Sequence, residues 1–453
     1  MLKAIIDFCR LIVGSLFIVS GLIKANDAMG FMYKLEEYFE AGALNLPELT
    51  EWALPLAVFI CLGEILLGVA MVLGAMPKIT AALTGLMMAF FTWLTWYTAN
   101  CDPHGFKEIV DATGAIINIE NQCVLACGCF GNAIPLTPYE SFIKDVVLSI
   151  LTIPIVLGAF TNRIQLNSKR TGFILIVASL VMIYAFSELM LQWNFPVLFA
   201  ACSYAVAEGI KMRWNKPGKE LIMALGVALV GIAFQWYTLN HLPLKDYRAY
   251  AVGESIIENS MTAEELGKTG PVYATEYTFK NLKTGLDTII LSSDWLKIYN
   301  EPWFKESFEI VTYDGKEIKI ADGYEPQIQD FQILNAIGDD IKDSVLSIES
   351  DVLMVISKDL ELANLENQAA INDLAKKAQE NGWFVLGLSN VDTQSGKAFQ
   401  EQHDTPYDLY TCDQTELKII VRSNPGLVWL KKGTVQSKWA WRDIPTWESI
   451  STN

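Results

Sequence analysis

Seven long apolar segments occupy most of the first 240 residues of this 453-residue chain. A helix needs about 20 predominantly apolar residues to cross the hydrocarbon core of a bilayer, because each residue advances it by only about 1.5 Å. The sequence therefore predicts a multi-pass α-helical membrane bundle of about seven spans, of which the sixth is the shortest. The predicted spans are 4–24, 54–76, 79–99, 139–160, 171–191, 196–211 and 219–238.

Two cationic loops set the expected orientation of the bundle. Residues 161–170 and 211–219 together carry seven Lys or Arg side chains, and short loops rich in these residues stay in the cytoplasm. We therefore expect a cytoplasmic N-terminus and an outer face that receives residues 25–53, 100–138 and everything after 240. The first span is expected to remain as an anchor, since no small-residue cleavage site follows it.

The two halves of the chain differ in charge. Residues 1–239 carry 14 Lys and Arg against 17 Asp and Glu, whereas residues 240–453 carry 20 against 34. The acidic excess argues against a nucleic-acid partner, which requires a basic surface, and is typical of a soluble, well-solvated region. We expect a protein of the cytoplasmic (inner) membrane, with the lipid bilayer as a partner and an exported, periplasmic C-terminal half.

Four of the eight cysteines, Cys101, Cys123, Cys127 and Cys129, fall in the predicted outer loop 100–138. They form two structural disulfides, or they join His104 in a tetrahedral zinc site, although their spacing lacks paired C-x2-C units. In a third interpretation they form a redox relay. A Cys101–Cys123 pair would then exchange with a Cys127–Cys129 pair that passes electrons to a lipid-soluble acceptor. The relay is our working hypothesis, and it uses no metal.

Glu64 lies near the middle of the second predicted span. An ionisable side chain at this depth is energetically costly unless it is paired or faces a cavity. Arg10 and Lys24 of the first span are its candidate partners. The three residues form either a structural ion pair between helices or a proton or quinone site, so quinone is the one cofactor that we expect, bound without a covalent link.

Several motifs of the N-terminal half resemble known membrane families. The stretches "RLIVGSLFIVSGLIKANDAMGF" (10–31) and "GEILLGVAMVLG" (63–74) resemble the first two helices of the DoxX family. The motif "CGCFG" (127–131) resembles the related MauE family, which is associated with disulfide formation during methylamine dehydrogenase maturation. The resemblance covers about residues 1–160 and implies a four-helix unit with disulfide chemistry.

The C-terminal half shows a βαβα…ββ order of strands and helices. Buried-strand patterns at 351–357 and 383–389 alternate with helical patterns, and "SNPGLVWLKKGTVQSKW" (423–439) ends in a hairpin that turns at Lys432 and Gly433. This part, about 330–445, resembles the thioredoxin-like fold. The resemblance implies that Pro425, next to Asn424, is a cis proline at the site of that fold.

The C-terminal half departs from the thioredoxin-like pattern in its cysteines. The family's C-x-x-C motif follows the first central strand, but residues 357–367 contain no cysteine. Cys412 is the one thiol of this half, and it is either buried and inert or a partner for a mixed disulfide. Ordinary dithiol catalysis is therefore not expected here.

The predicted organisation has four parts, of which the first two are membrane-embedded. They are a DoxX/MauE-like unit (1–160) with the Cys-rich loop 100–138, three further membrane helices (161–239), a β-rich extension (240–330) and an α/β thioredoxin-like domain (331–453). The predicted function is thiol–disulfide redox or electron transfer at the outer face of the membrane, coupled to quinone. Its partners would be exported client proteins or a thioredoxin-like protein. The alternative is a non-catalytic envelope scaffold or assembly factor whose degenerate domain binds clients.

Overall fold

The computed structural model describes residues 2–103, 105–110, 114–124, 130–214, 216–311 and 315–451. Its membrane half consists of long helices interrupted by one small hairpin. The elements are α1 (Leu2–Asn26), α2 (Ala28–Phe39), α3 (Ala53–Leu73), α4 (Pro77–Ala99), β1 (Phe106–Val110), β2 (Ile116–Glu120), α5 (Pro138–Phe160), α6 (Lys169–Phe186), α7 (Phe195–Arg213) and α8 (Lys219–Asn240).

Seven of the described helices are long and apolar enough to cross a membrane, which confirms the predicted multi-pass protein. The second span includes a 3₁₀ turn, Pro47–Trp52, before α3, and the fifth ends in a π-helical turn, Ser187–Leu191, after α6. Large apolar side chains point outward, and Phe59 and Leu229 are 71% and 68% exposed. Such side chains are stable on this surface only if lipid covers them.

Helices α1 and α3 form the centre of the bundle because small residues let their backbones approach. A Cβ atom added at Gly68 would lie 2.6 Å from the carbonyl oxygen of Gly14, and one added at Gly21 would lie 2.8 Å from the carbonyl oxygen of Cys61. Small residues are typical of closely packed membrane helices. The last three helices pack against this centre, and the hydroxyls of Ser15 and Ser179 form a buried 2.7 Å hydrogen bond between α1 and α6.

The connecting segments gather at two opposite ends of the bundle, as seven alternating spans require. At one end the amide of Asn167 donates to the carbonyl of Leu73, beside the loops 74–76 and 161–168. At the other end the side chain of Asn26 holds residues 244–245, where the chain leaves α8. The orientation of these ends relative to the cytoplasm stays a prediction.

A helix, α2, lies within the predicted loop 25–53. Its apolar residues recur at helical spacing, so that Met32, Leu35 and Phe39 are buried against the bundle. The carboxylate of Asp27 caps the helix by accepting a hydrogen bond from the amide of Gly30 at 2.9 Å. With 12 residues the helix is too short to span a bilayer.

The C-terminal region contains short helices and two β-sheets. Its elements are α9 (Ile256–Ser260), β3 (Val272–Asn281), β4 (Asp287–Leu291), α10 (Ser292–Ile298), α11 (Pro302–Ser307), β5 (Phe308–Ile310), β6 (Lys316–Ala321), α12 (Lys342–Leu346), β7 (Asp351–Ser357), α13 (Gln368–Glu380), β8 (Phe384–Ser389), α14 (Thr393–His403), β9 (Asp408–Thr411), α15 (Gln414–Ile420), β10 (Gly426–Lys431), β11 (Thr434–Ala440) and α16 (Trp447–Ile450).

The larger sheet has the strand order β11-β10-β7-β8-β9. Strands β7, β8 and β9 are parallel, because helices connect them, whereas β10 pairs antiparallel with β7 and with β11. Six of the seven residues of β7 are buried, as expected for a strand covered on both faces. Strands β3 to β6 form a separate antiparallel sheet, which agrees with the predicted β-rich extension.

The peptide bond between Asn424 and Pro425 is cis, as predicted. Residues 357–367 lie beside it, also as predicted. The amide of Asn364 donates to the carbonyl of Asn424 at 2.9 Å, and the side-chain amide of Asn424 donates to the carbonyl of Asp359 at 2.8 Å. The loop after β7 and the loop before β10 therefore form one edge of the sheet.

Candidate functional site

Lys24 and Glu64 form an ion pair inside the helical bundle. The Lys24 ammonium donates to the carboxylate oxygen Oε1 of Glu64, and both side chains are 2% exposed. Gly21, one turn before Lys24, packs against the Cβ atom of Glu64, so α1 and α3 approach closely at this level. A close approach brings the ammonium to the carboxylate without water between them.

Aromatic rings and a hydroxyl also lie beside the Lys24 ammonium. It lies 5.5 Å from the centre of the Phe31 ring and 5.1 Å from that of Phe91, within the range of a cation–π contact, and it donates to the hydroxyl of Ser20 at 3.1 Å. The second carboxylate oxygen of Glu64, Oε2, is buried, and no described group hydrogen bonds to it. That oxygen is available to accept a hydrogen bond or a proton.

Arg10 does not join this pair, so its predicted role beside Glu64 is wrong. It lies 14 residues before Lys24, which is about 21 Å along a helix. Its guanidinium instead donates to the carbonyls of Met71 and Val72 at the end of α3 and to the side chain of Asn167. Arg10 therefore provides hydrogen bonds to the free carbonyl groups at the end of α3, at the other end of the bundle from Lys24.

A disulfide joins Cys101 to Cys123, with their Cα atoms 5.7 Å apart. The segment that it closes contains the hairpin β1–β2 and is fixed to the bundle, since the amide of Gln122 donates to the carbonyl of Gly42 at 2.9 Å. Disulfide sulfurs are not thiolates, which are the form that binds zinc. The bond therefore counts against the zinc hypothesis for Cys101 and Cys123.

Cys127 and Cys129 lie outside the described residues, as does His104. The described residues on either side of 125–129 are both buried. Val124 packs among residues of α2, α3 and α4, and Phe130 packs in the cluster that contains Cys61 and Ile65, the neighbours of Glu64 on α3. Phe31, which contacts Lys24, packs against both clusters.

Sequence reasoning missed a second buried carboxylate, Asp145 of α5. Its two oxygens receive the Lys144 ammonium at 2.9 Å and the Thr95 hydroxyl at 3.2 Å, and the residue is 2% exposed. The Lys144 ammonium also lies 5.2 Å from the centre of the Phe130 ring. The criterion that identified Glu64, an acidic residue inside an apolar span, would have identified Asp145 as well.

A groove of about 600 Å³ opens toward lipid between α4 and α5. Its walls are mostly apolar and aromatic, with Trp93, Trp96 and Phe142 among them, and Thr92 and Ser149 contribute hydroxyls. These hydroxyls hydrogen bond to each other at 2.8 Å. The volume lies in the range of small-molecule sites.

The sheet edge that carries Pro425 faces the membrane half. Arg422, three residues before this proline, donates three hydrogen bonds to the carboxylate of Asp27, at 2.8, 3.0 and 3.1 Å. Cys412 is far less accessible. It is 1% exposed, and burial, followed by Glu416 and Asp413, raises the pKa of its thiol to about 12. Cys412 therefore has the surroundings of an inert thiol.

Residues 2–104 match the family model described as methylamine utilisation protein MauE. The match contains α1 to α4, and with them the Lys24–Glu64 pair, and it ends before Cys123, Cys127 and Cys129. The resemblance to MauE is thereby confirmed for the N-terminal region, although the motif 127–131 that suggested it lies outside the matched residues. No curated protein and no solved structure matches the chain significantly.

Proposed function

We propose that this chain, whose residues 2–104 form a MauE family domain, catalyses thiol–disulfide exchange at the outer face of the cytoplasmic membrane and passes the electrons to quinone. Exported proteins that acquire disulfides, or a thioredoxin-like protein that acts on them, would be its partners. Cys101, Cys123, Cys127 and Cys129 are the proposed catalytic residues. The family match supports a membrane protein, and the chemistry is inferred from the residues below.

One observation carries this proposal. The Cys101–Cys123 disulfide and the buried Lys24–Glu64 pair are linked by packing, since Val124 and Phe130, which flank Cys127 and Cys129 in sequence, lie in two apolar clusters that Phe31 joins. Phe130 shares an apolar cluster with Cys61, which lies one turn from Glu64. The segment that follows the disulfide and the helix that carries the buried carboxylate thus pack into neighbouring apolar clusters.

The proposed reaction has two exchange steps and one oxidation. A client dithiol reduces the Cys101–Cys123 disulfide, and the resulting dithiol reduces a Cys127–Cys129 disulfide, so two electrons and two protons move at each step. Reoxidation of Cys127 and Cys129 forms one S–S bond. The two electrons and two protons released then convert a quinone to a quinol.

Lys24 and Glu64 are the residues that we propose to act toward the quinone. The ammonium can donate a hydrogen bond to a carbonyl oxygen, and Oε2 of Glu64 can hold a proton. Phe31 and Phe91 provide an apolar surface beside them. The groove between α4 and α5 gives a lipid-soluble molecule a route to the α4 helix that carries Phe91.

The C-terminal sheet supports a thioredoxin-like assignment. Its central order β8-β7-β10-β11, with β10 and β11 antiparallel, agrees with that fold, and so does the cis proline before β10. Without a C-x-x-C motif this region would bind a partner rather than exchange disulfides. A second candidate function, an assembly factor that acts through this region, rests on the buried state of Cys412.

Alkylation of the loop cysteines in cells tests the redox proposal. Cysteine thiols are trapped with a mass-tagged maleimide before and after quinone is depleted, and the modified forms are separated by size. Because quinone would take the electrons last, its depletion should leave Cys127 and Cys129 reduced. Cys127→Ser or Cys129→Ser should keep Cys101 and Cys123 in one redox state.

Cys202→Ser is the matched control, since Cys202 is a free and exposed thiol of α7. This variant should behave like the wild type in every arm of the experiment. If quinone depletion leaves all four loop cysteines oxidised while the protein still functions in the cell, the relay is wrong. The cysteines would then be structural, as the second candidate function requires.

A further inference from the structure

The cis-proline edge, which we define as residues 357–367 and 418–425, contacts α2 through three cations. Arg422 binds the carboxylate of Asp27 through Nε and Nη2 of its guanidinium, and Lys358 donates to the hydroxyl of Tyr33. Lys418 lies 3.9 Å from the carboxylate of Glu36. The helix cap Asp27 and two residues of α2, Tyr33 and Glu36, therefore each have a cationic partner in the C-terminal region.

Tyr33 is the centre of this contact. The cationic groups of Lys358, Lys418 and Arg422 lie 5.2, 4.8 and 5.3 Å from the centre of its ring. A tyrosine ring surrounded by cations gains a cation–π attraction to each of them. An adjacent side of α2, with Met32 and Leu35, is buried against the bundle. The two faces of α2 thus serve different parts of the chain.

The contact is polar and partly open to water, unlike the interior of either part. Arg422 is 7% exposed, but its partner Asp27 is 25% exposed, and Lys418 and Glu36 are both 30% exposed. Interfaces of this kind between parts of one chain are comparable to transient protein–protein interfaces, and relative motion across them is the default.

We infer that α2 and the cis-proline edge form a latch. In the docked state α2 covers the edge, and in the undocked state the edge is open to another polypeptide that presents an acidic helix cap followed by a tyrosine. The Asp27–Arg422 pair sets the balance, because a bidentate carboxylate–guanidinium contact has both charge and a fixed geometry. This inference does not depend on the redox chemistry of the loop cysteines.

Hydrogen exchange on the full-length protein in detergent tests the latch. Arg422→Ala should raise exchange about tenfold in peptides covering 28–39 and 358–366 and leave the strand 384–389 unchanged. Asp27→Ser should do the same, and serine keeps the helix cap because its hydroxyl also accepts from the helix amides. Arg442→Ala is the matched control, since that exposed arginine of the next loop contacts Trp441 and no residue of α2.

A labelled peptide of residues 26–40 tests whether the covered edge is a binding surface. Apparent affinity is reduced by the fraction of protein in the competent state. The peptide should therefore bind Asp27→Ser protein about tenfold more tightly than the wild type, and it should not bind Arg422→Ala protein. Equal binding to wild type and Asp27→Ser, no binding to either, unchanged exchange in 28–39, or increased exchange throughout the sheet would overturn the latch.

Discussion

The membrane half and the C-terminal region place their buried charges in different ways. Lys24 and Glu64 lie in an apolar bundle and pair with each other beside the rings of Phe31 and Phe91. In the C-terminal region Asp246 receives both Arg248 and Lys438, at 2.7 and 2.9 Å, and remains 17% exposed. Asp246 keeps some contact with water, although Arg248 and Lys438 are only 3% and 4% exposed, whereas both members of the Lys24–Glu64 pair are enclosed. Substitutions that break a buried pair should therefore have their largest effect in the bundle.

The two regions also differ in where their apolar side chains point. The helices keep large apolar residues on the outside, where lipid is the solvent. The strand β7 keeps Leu353 and Ile356 fully buried between helices, because the solvent there is water. An exposed apolar side chain is therefore stable on the membrane half, where it contacts lipid, but costly on the C-terminal region, where it contacts water.

The largest effect is expected from breaking the Lys24–Glu64 pair. Glu64→Ala leaves an ammonium in the bundle, and removal of one partner of a buried pair typically lowers the free energy of unfolding by about 3–5 kcal/mol. The amount of membrane-inserted protein, and its thermal unfolding in detergent, should fall accordingly. Lys24→Met combined with Glu64→Leu should recover much of this loss.

The control for this prediction is Glu208→Ala, which breaks the more exposed Lys211–Glu208 pair of α7. Its effect should be well below that of Glu64→Ala. A Glu64→Ala protein as stable as the wild type would contradict the comparison between the two regions. A stable double variant whose loop cysteines no longer change redox state would show that the Lys24–Glu64 pair does more than hold two helices together.

A somewhat smaller loss is expected in the core of the large sheet. Leu353→Ala removes a fully buried side chain, and such changes typically lower the free energy of unfolding by about 2–5 kcal/mol. Leu229→Ala on α8 should have little effect, because Leu229 is 68% exposed and lipid can fill the space. The free energy of unfolding of each variant is measured by chemical denaturation, with hydrogen exchange as the readout in each region. Equal losses would contradict the lipid-facing assignment of α8.

Gly68→Ala should destabilise the bundle by about 1–3 kcal/mol, as overpacking typically does. The added Cβ atom would meet the backbone oxygen of Gly14 at 2.6 Å, and a backbone atom cannot move aside as a side chain can. Gly209→Ala on α7 is the matched control, because nothing lies within 4 Å of the added atom. Thermal unfolding of both variants in detergent is the measurement, and a control that loses as much as Gly68→Ala would refute the close approach of α1 and α3.

The smallest effect is a pH dependence of the contact between α2 and the cis-proline edge. Burial, and then Arg422 and Lys418, lower the pKa of Lys358 from 10.5 to about 8. Between pH 8 and pH 10.5 the undocked state therefore binds more protons than the docked state, so docking strengthens as pH rises through this window. Below pH 8 Lys358 is charged in both states, and docking bears the full cost of burying its ammonium. The charged and titratable groups around Lys358 are Asp27, Tyr33 and Glu36 on one side and Lys418 and Arg422 on the other.

Protection of residues 28–39 from hydrogen exchange, corrected for the intrinsic rate at each pH, should rise by about an order of magnitude between about pH 7.5 and pH 9.5. Tyr33 stays neutral throughout, since burial raises its pKa to about 12. Lys358→Arg should remove the rise, because arginine keeps its charge over this range. Protection that falls with pH in the wild type would contradict the assignment of Lys358 to the interface.

Local sequence patterns determined the elements of this protein. Hydropathy and length gave seven spans within a few residues of the observed helices, since a span must satisfy its own backbone hydrogen bonds. Continuous apolar runs predicted β7 and β8, and turn residues predicted the final hairpin, in which Lys432 and Gly433 both have positive φ. The cis bond at Pro425 also came from the sequence, through a resemblance, and residues 27–39 were missed because α2 is too short to resemble a span.

Contacts between distant residues were decided only by the tertiary structure. The choice of Lys24 over Arg10 as the partner of Glu64 depends on the depth of each side chain in the bundle and on the face of α1 that meets α3. The pairing of Asp27 with Arg422 joins residues 395 positions apart. Hydropathy and spacing report the neighbours of a residue along the chain, whereas these pairs arise from the relative positions of packed helices and strands, which no local pattern specifies.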